Sequence, residues 1–251
     1  MIIINNNICD KPLLKYFLKE LQKYIDVITN IHSSLKLIQK IGIDEIKESR
    51  FNKQIITPLK GNKVPQFWEI PPYMISSKFC DSIFNTIYEK SNSLLELFRN
   101  FNEVENLSPN NIKISLFEKP ESFLYLYKLR HCKLNGENPN KTEYVIFLKS
   151  ENGINLIIEG IYSLNFIFKN EKVMKCQENT DLMTPIYNLK FYIKEIEPRM
   201  KDNYIALPLY KLYDEDVFFK QKIEPCLEVY IEKEEDCSEW LILHAPSLII
   251  K

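Results

Sequence analysis

With 251 residues, 45% of them hydrophobic and 27% charged, the chain has the make-up of a globular protein able to bury one large core or two smaller ones. Lysine and arginine (33) balance aspartate and glutamate (34), so the net charge of -1 offers no basic surface for a nucleic acid or an anionic membrane. No apolar run reaches the roughly 20 residues of a membrane span, and Met1 to Ile4 runs into three asparagines without the pattern of a signal peptide.

Residues 12–40 form the first and strongest pattern. Leu14, Phe17, Leu21, Tyr24, Ile28, Ile31, Leu35 and Ile38 alternate at spacings of three and four, which predicts one long amphipathic helix with these side chains on one stripe. Leu18 and Ile25 widen that stripe beyond a two-stranded coiled-coil seam, so the helix is expected inside a globular body. Asp10 is placed to cap it, Pro12 suits its first turn and Gly42 its end. A shorter helix is expected over 43–59, with Ile46, Phe51, Ile55, Ile56 and Leu59 inward, stopping at Lys60-Gly61-Asn62.

Val64-Pro65-Gln66-Phe67-Trp68 and Pro71-Pro72-Tyr73 follow, where prolines hold the backbone extended and two large aromatics need cover. The simplest reading is a loop pinned to the core by Trp68. Ser76 or Ser77 can cap a third helix to about Phe101, with Phe79, Ile83, Ile87, Leu94, Leu97 and Phe98 inward. Ile112 to Phe117 is a short apolar run, and Pro120-Glu121-Ser122 opens a fourth helix carrying Phe123, Leu124 and Tyr127.

Residues 134–143, polar and rich in turn formers, read as a linker between a helical subdomain (1–133) and a strand-rich one (144–251). Extended runs are expected over 144–148, 155–168, 186–193, 206–212, 227–232 and 240–250, with Gly153 and Gly160 interrupting the second and Pro208 and Pro246 marking edges or bulges in the later ones. Helices followed by strands predict an α+β fold: a bundle-like helical half, then an antiparallel β-barrel-like half.

This order of features resembles the C-terminal domain of dynein heavy chains, the segment after the sixth AAA+ module. Four stretches carry the resemblance. They are the opening helix with Glu20 and Asn30-Ile31-His32-Ser33-Ser34-Leu35; Gly61-Asn62-Lys63-Val64-Pro65-Gln66-Phe67-Trp68; Pro120-Glu121-Ser122-Phe123-Leu124; and Leu207-Pro208-Leu209-Tyr210-Lys211, with Trp240 in a terminal apolar strand. The sequence departs from the family pattern at Ser115-Leu116-Phe117-Glu118, at Ser163-Leu164-Asn165-Phe166 and at His244-Ala245. The resemblance implies a non-catalytic domain in the cytoplasm or on the cytoskeleton, in a cilium or in cytoplasmic transport. Its partners would be the AAA+ modules of the same heavy chain, with other dynein subunits contacted indirectly; it would modulate microtubule-based motor activity. Val64, Pro65, Phe67, Trp68, Pro208, Tyr210 and Trp240 are the expected structural or interaction anchors. The alternative is a free-standing adaptor or scaffold with the same fold.

Catalytic and cofactor chemistry finds no support in the residues. Five isolated glycines make no phosphate-cradling loop, so no nucleotide site and no other cofactor is expected. The six cysteines are scattered and the three histidines far apart, giving neither a zinc pattern nor a disulfide framework. Neighbours His131 and Cys132 point to different faces of a helix, and His244 pairs with no thiol in a nucleophile motif. Asp44-Glu45 reads as a helix start and Glu234-Glu235-Asp236 as a solvated loop.

Overall fold

The computed structural model describes residues 11–41, 52–71, 74, 80–103, 111–147, 156–164, 166–169, 172–175, 183–186, 189–195, 204–211, 225–232 and 247–250. The protein divides into two compact units, one ending at Glu105 and the other starting at Asn106.

In the first unit the predicted opening helix is α1 (Pro12–Ile41). Leu14, Phe17, Leu21, Tyr24 and Ile31 are buried as the spacing requires, whereas Ile28 and Leu35 are 46% and 40% exposed and Val27 and Ser34 are buried in their place. The cause is geometric. Phe17, Tyr24 and Ile31 form a seam common to both halves of the helix. On its N-terminal half both flanks of that seam are covered, Leu14 and Leu21 on one and Leu13 and Glu20 on the other, whereas on its C-terminal half Val27 and Ser34 continue only the second flank. α3 (Cys80–Glu103) packs on α1. Phe17 and Phe101 meet with ring centroids 5.4 Å apart, and Ile83, Ile87, Leu94, Leu97 and Phe98 are buried as expected. Asp10, Gly42, Ser76, Ser77 and Phe79 lie outside the described residues, as does the first half of the expected second helix. Its described part is a π-helical turn (Asn52–Ile56) running into a single α-turn, α2 (Thr57–Lys60). Pro58 explains the irregularity, since it has no N–H to give to the preceding turn.

The second unit holds α4 (Pro120–Asn135), which starts at Pro120 as predicted and packs on β2 (Thr142–Phe147). Its start is fixed by Phe123, stacked on Phe117 at 4.6 Å and 7°. Its end is fixed by Gly136, left-handed at φ 69°, after which the Glu137 N–H donates to the Cys132 carbonyl at 2.9 Å. Residues 134–143 are therefore not an open linker between the compact units; they are an ordered turn inside the second one. Thr142 Oγ1 donates to the Asn138 carbonyl at 3.0 Å, and Lys128 Nζ donates to the carbonyls of Pro139 (3.2 Å) and Thr142 (3.0 Å).

The remaining strands are β1 (Asn111–Lys113), β3 (Leu156–Glu159), β4 (Ile161–Leu164), β5 (Phe166–Lys169), β6 (Lys172–Lys175), β7 (Met183–Ile186), β8 (Leu189–Glu195), β9 (Tyr204–Lys211), β10 (Leu227–Glu232) and β11 (Ser247–Ile250). Nine of the unit's strands form one sheet in the order β1-β3-β8-β2-β10-β9-β11-β4-β7, and β5 pairs with β6 separately. Helices with strands are as expected, but the antiparallel barrel is not. Among the described residues the ladder is open, ending at β1 and β7, and the pairs β1/β3, β2/β10 and β9/β11 are parallel. Alternation along a strand reports an extended backbone with one covered face; it carries nothing about the partner or its direction. The core on this sheet contains Ile146, Ile158, Ile161, Leu207, Leu209, Val229 and Leu248.

The expected run over 155–168 is interrupted at Gly160, as its glycine predicts, and divides into three strands in all; Gly153 lies outside the described residues. Gly160 has φ 91°, and a Cβ there would lie 2.9 Å from Ser115 Oγ. Gly160→Ala is expected to destabilise the protein by about 1–3 kcal/mol in denaturant unfolding, and adding Ser115→Gly should recover only part of that loss, because the backbone strain persists.

Candidate functional site

The sharpest motif of the sequence, Val64 to Trp68, builds a compact anchor in the first unit. After α2 the backbone turns on Asn62, which takes the left-handed conformation (φ 53°), while Gly61 stays at φ -89°. Asparagine tolerates this region, so the stop falls one residue later than the glycine. The Lys63 N–H then donates to the Pro58 carbonyl at 2.9 Å. Pro65, buried and extended at φ -63° and ψ 129°, leads into a 3-10 turn (Gln66–Trp68), and Glu69 ends it at φ 51°.

The turn drives Trp68 inward. Its side chain is 1% exposed, its ring lies 6.2 Å from Phe84 of α3, and its carbonyl accepts from Asn30 Nδ2 of α1 at 3.3 Å. The motif is thus tied to both long helices of its own unit. Among the described residues its buried indole N–H finds no hydrogen-bond acceptor, and the buried Tyr24 hydroxyl finds no partner. Val64 is half-buried.

Two ionisable groups of this unit give no signal in the sequence, because helical spacing does not show burial of single polar residues. Glu20 of α1 is 2% exposed, and its carboxylate accepts from Lys23 Nζ at 2.6 Å. Burial, and secondarily the Glu20 charge, pushes the Tyr24 phenol well above its ordinary range. On α3, burial lowers the Lys90 amine from 10.5 to about 8.

The other expected anchors belong to the second unit. Pro208 and Tyr210 lie on β9, half-buried. Pro208 does not mark an edge, since β9 runs between β10 and β11. It faces Glu228 of β10 and stops one residue short of the first β11 rung, Leu209 opposite Leu248, so its missing N–H costs that ladder nothing. Trp240 and Pro246 lie outside the described residues. Val64, Pro65, Phe67 and Trp68 thus belong to the first unit, and Pro208 and Tyr210 to the second.

His131 turns to Asn135 and, at 3.7 Å, to the Glu137 carboxylate, whereas Cys132 is buried at 1% exposure. Among the described residues no group of three His, Cys, Asp or Glu could hold a metal ion, and no helix is long and apolar enough to cross a membrane. His244, Asp44-Glu45 and Glu234-Glu235-Asp236 lie outside the described residues.

Comparison with protein families resolves the identity of this arrangement. The family model for the C-terminal domain of dynein heavy chains matches residues 5–224. The protein belongs to that dynein family. The matched span holds the Trp68 turn, the α4 start and β9, and ends before Trp240. No curated protein matches the sequence. Membership gives this dynein domain a cytoskeletal association, and no catalytic family is indicated.

Two outcomes test this account of the first unit. Trp68→Ala should cost about 3–5 kcal/mol of unfolding free energy, read by chemical denaturation, as for other large aromatics removed from a core. Lys90 sets a pH dependence. Its folded-state value is depressed, so between about pH 8 and 10.5 the unfolded state binds more protons and stability rises with pH; below about 8 the burial penalty is complete. Lys90→Met should flatten that rise and add about 1 kcal/mol at pH 7, measured by unfolding titrations across the window.

Proposed function

We propose that this dynein C-terminal domain packs on the AAA+ modules of its own heavy chain and biases how they move during microtubule-based motility. The role is mechanical. A rigid body seated on several modules alters the balance between their arrangements without contributing catalytic groups. Nucleotide hydrolysis and track binding would remain with other parts of the motor, and other dynein subunits would be reached through the ring. The setting follows from this: the cytoskeleton, in the cytoplasm or in an axoneme.

One observation carries the reading. Ile25, Ile28 and Leu35 lie along one side of α1, 47%, 46% and 40% exposed, and α3 adds Phe84 and Tyr88 at 48% and 67%. Large apolar side chains concentrated on two helices suit a surface that another protein covers. A free-standing adaptor would be expected to carry a self-sufficient polar surface there, which is why docking is the preferred reading.

Titrating the protein with the AAA+ ring portion of its motor tests the reading. Saturable binding is expected, and the triple change Ile25→Ser, Ile28→Ser, Leu35→Ser should weaken it at least about tenfold while leaving the helical circular dichroism intact, since each apolar side chain buried contributes about 1.5–3 kcal/mol. Undiminished binding by the triple variant would remove the proposed face. An antibody raised against these residues gives the second check: a cellular product near 29.9 kDa, rather than a far larger one, would put the adaptor first.

A further inference from the structure

The C-terminal cap of α4 holds two residues whose chemistry the docking reading neither uses nor explains. Asn135 and Gly136 form an Asn-Gly pair. No side chain shields the backbone nitrogen that follows such an asparagine, and the freedom of glycine lets that nitrogen approach the side-chain amide carbon. The other Asn-Gly pair of the sequence, Asn152-Gly153, lies outside the described residues.

In the intact cap this approach is blocked. Asn135 is the last residue of α4, and Gly136 follows it at φ 69°. The Gly136 N–H donates to the Cys132 carbonyl, which also accepts the Glu137 N–H at 2.9 Å. Asn135 Nδ2 is drawn back by one turn onto the His131 ring, 3.0 Å from Nε2. Cyclisation needs the Gly136 nitrogen released from its bond and the Asn135 backbone out of its helical dihedrals. Little buried surface secures that turn. Every residue from Lys133 to Lys141 is exposed, and Cys132, at 1%, is the last buried side chain of the helix. A helix end of this kind opens locally at a cost far below that of global unfolding. Each opening frees the Gly136 nitrogen and the Asn135 amide together.

We propose that Asn135 is a site of spontaneous deamidation whose rate is set by opening of the α4 cap. The Gly136 backbone nitrogen gives up its proton and attacks Cγ of Asn135, forming an N–Cγ bond. The Cγ–Nδ2 bond breaks, and the amide nitrogen leaves with that proton as ammonia, giving a cyclic imide. Solvent water opens the ring: addition at Cγ leaves aspartate, and addition at the Asn135 main-chain carbonyl leaves isoaspartate. One water is consumed, one ammonia is released, and nothing is oxidised or reduced. The product weakens the cap that held its precursor. A carboxylate at 135 stands at the negative end of the α4 dipole, two residues before Glu137. Isoaspartate also adds a methylene to the main chain, shifting Gly136 and Glu137 out of register with the Cys132 carbonyl. Since the ammonia is lost, the change is one-way.

The test incubates the whole protein at neutral pH and maps its peptides by mass spectrometry, with the same protein in guanidinium chloride as the open reference. The mass gain of amide-to-acid conversion is expected at Asn135, about 10- to 100-fold slower in the native protein than in the denatured one. His131→Ala, which removes the partner of the Asn135 amide, should raise the native rate severalfold and leave the denatured rate unchanged. Asn138 and Asn140, equally exposed but followed by Pro139 and Lys141, should react far more slowly than Asn135 in both states. A native rate beyond that range on the slow side would overturn the site, as would conversion of Asn138 or Asn140 as fast as Asn135. Equal native and denatured rates, or a His131→Ala protein that reacts no faster, would overturn control by the cap.

Discussion

The first unit depends on covering one face of α1. A thirty-residue helix with Phe17, Leu21, Tyr24 and Ile31 on one side gains little from its own hydrogen bonds, and its persistence rests on tertiary burial. The cover comes from two places. Along its length α3 packs on it, with Phe101 against Phe17, and the Trp68 turn closes on Asn30. Within this apolar seam lies Glu20. A carboxylate buried at that depth is tolerated because Lys23, one turn on, reaches it at 2.6 Å while keeping its own end partly in water. The face is consequently fixed in rotation as well as in position: turning α1 by one residue would strand that carboxylate.

How much of this is legible in the sequence varies with the kind of signal. The extent of α1, the start of α4 at Pro120 and the inward set of α3 follow from 3.6-residue periodicity and proline chemistry, which are local, and they appear as expected. Which flank of α1 stays covered beyond Tyr24 depends on elements that lie far along the sequence, so the exposure of Ile28 and Leu35 is not written in the local pattern. The stop after α2 falls at Lys60-Gly61-Asn62 as expected, with Asn62 carrying the positive φ. Strand partners are the least legible. Residues 134–143 have the composition of a linker, yet Asn138, Thr142 and Lys128 convert them into a stapled turn that binds α4 to β2.

The candidate anchors divide in the same way. Trp68 is visible because a tryptophan between prolines demands burial, and the structure buries it. Pro208 belongs in the sheet interior and not at an edge because its compensation is a matter of where β11 begins, which no local pattern encodes. Family membership, in turn, rests on motifs spread over the sequence, each weak alone. It fixes the association with dynein.

The parallel pair of β2 and β10 has a consequence for how the protein acquires its shape. Val229 meets Ile146 across a long intervening segment, and this rung lies in the middle of the nine-stranded sheet. Closing so long a loop forfeits entropy before any neighbouring rung repays it, so the second unit is a slow-forming, high-contact-order structure. The first unit relies on helices that form locally and is also synthesised earlier. During translation the helical unit would be complete while the central rung of the sheet still awaited its partner strand, leaving β2 with an unpaired edge until β10 has left the ribosome. Such an edge is where a chaperone would act, and where crowding would first cause loss of the nascent protein.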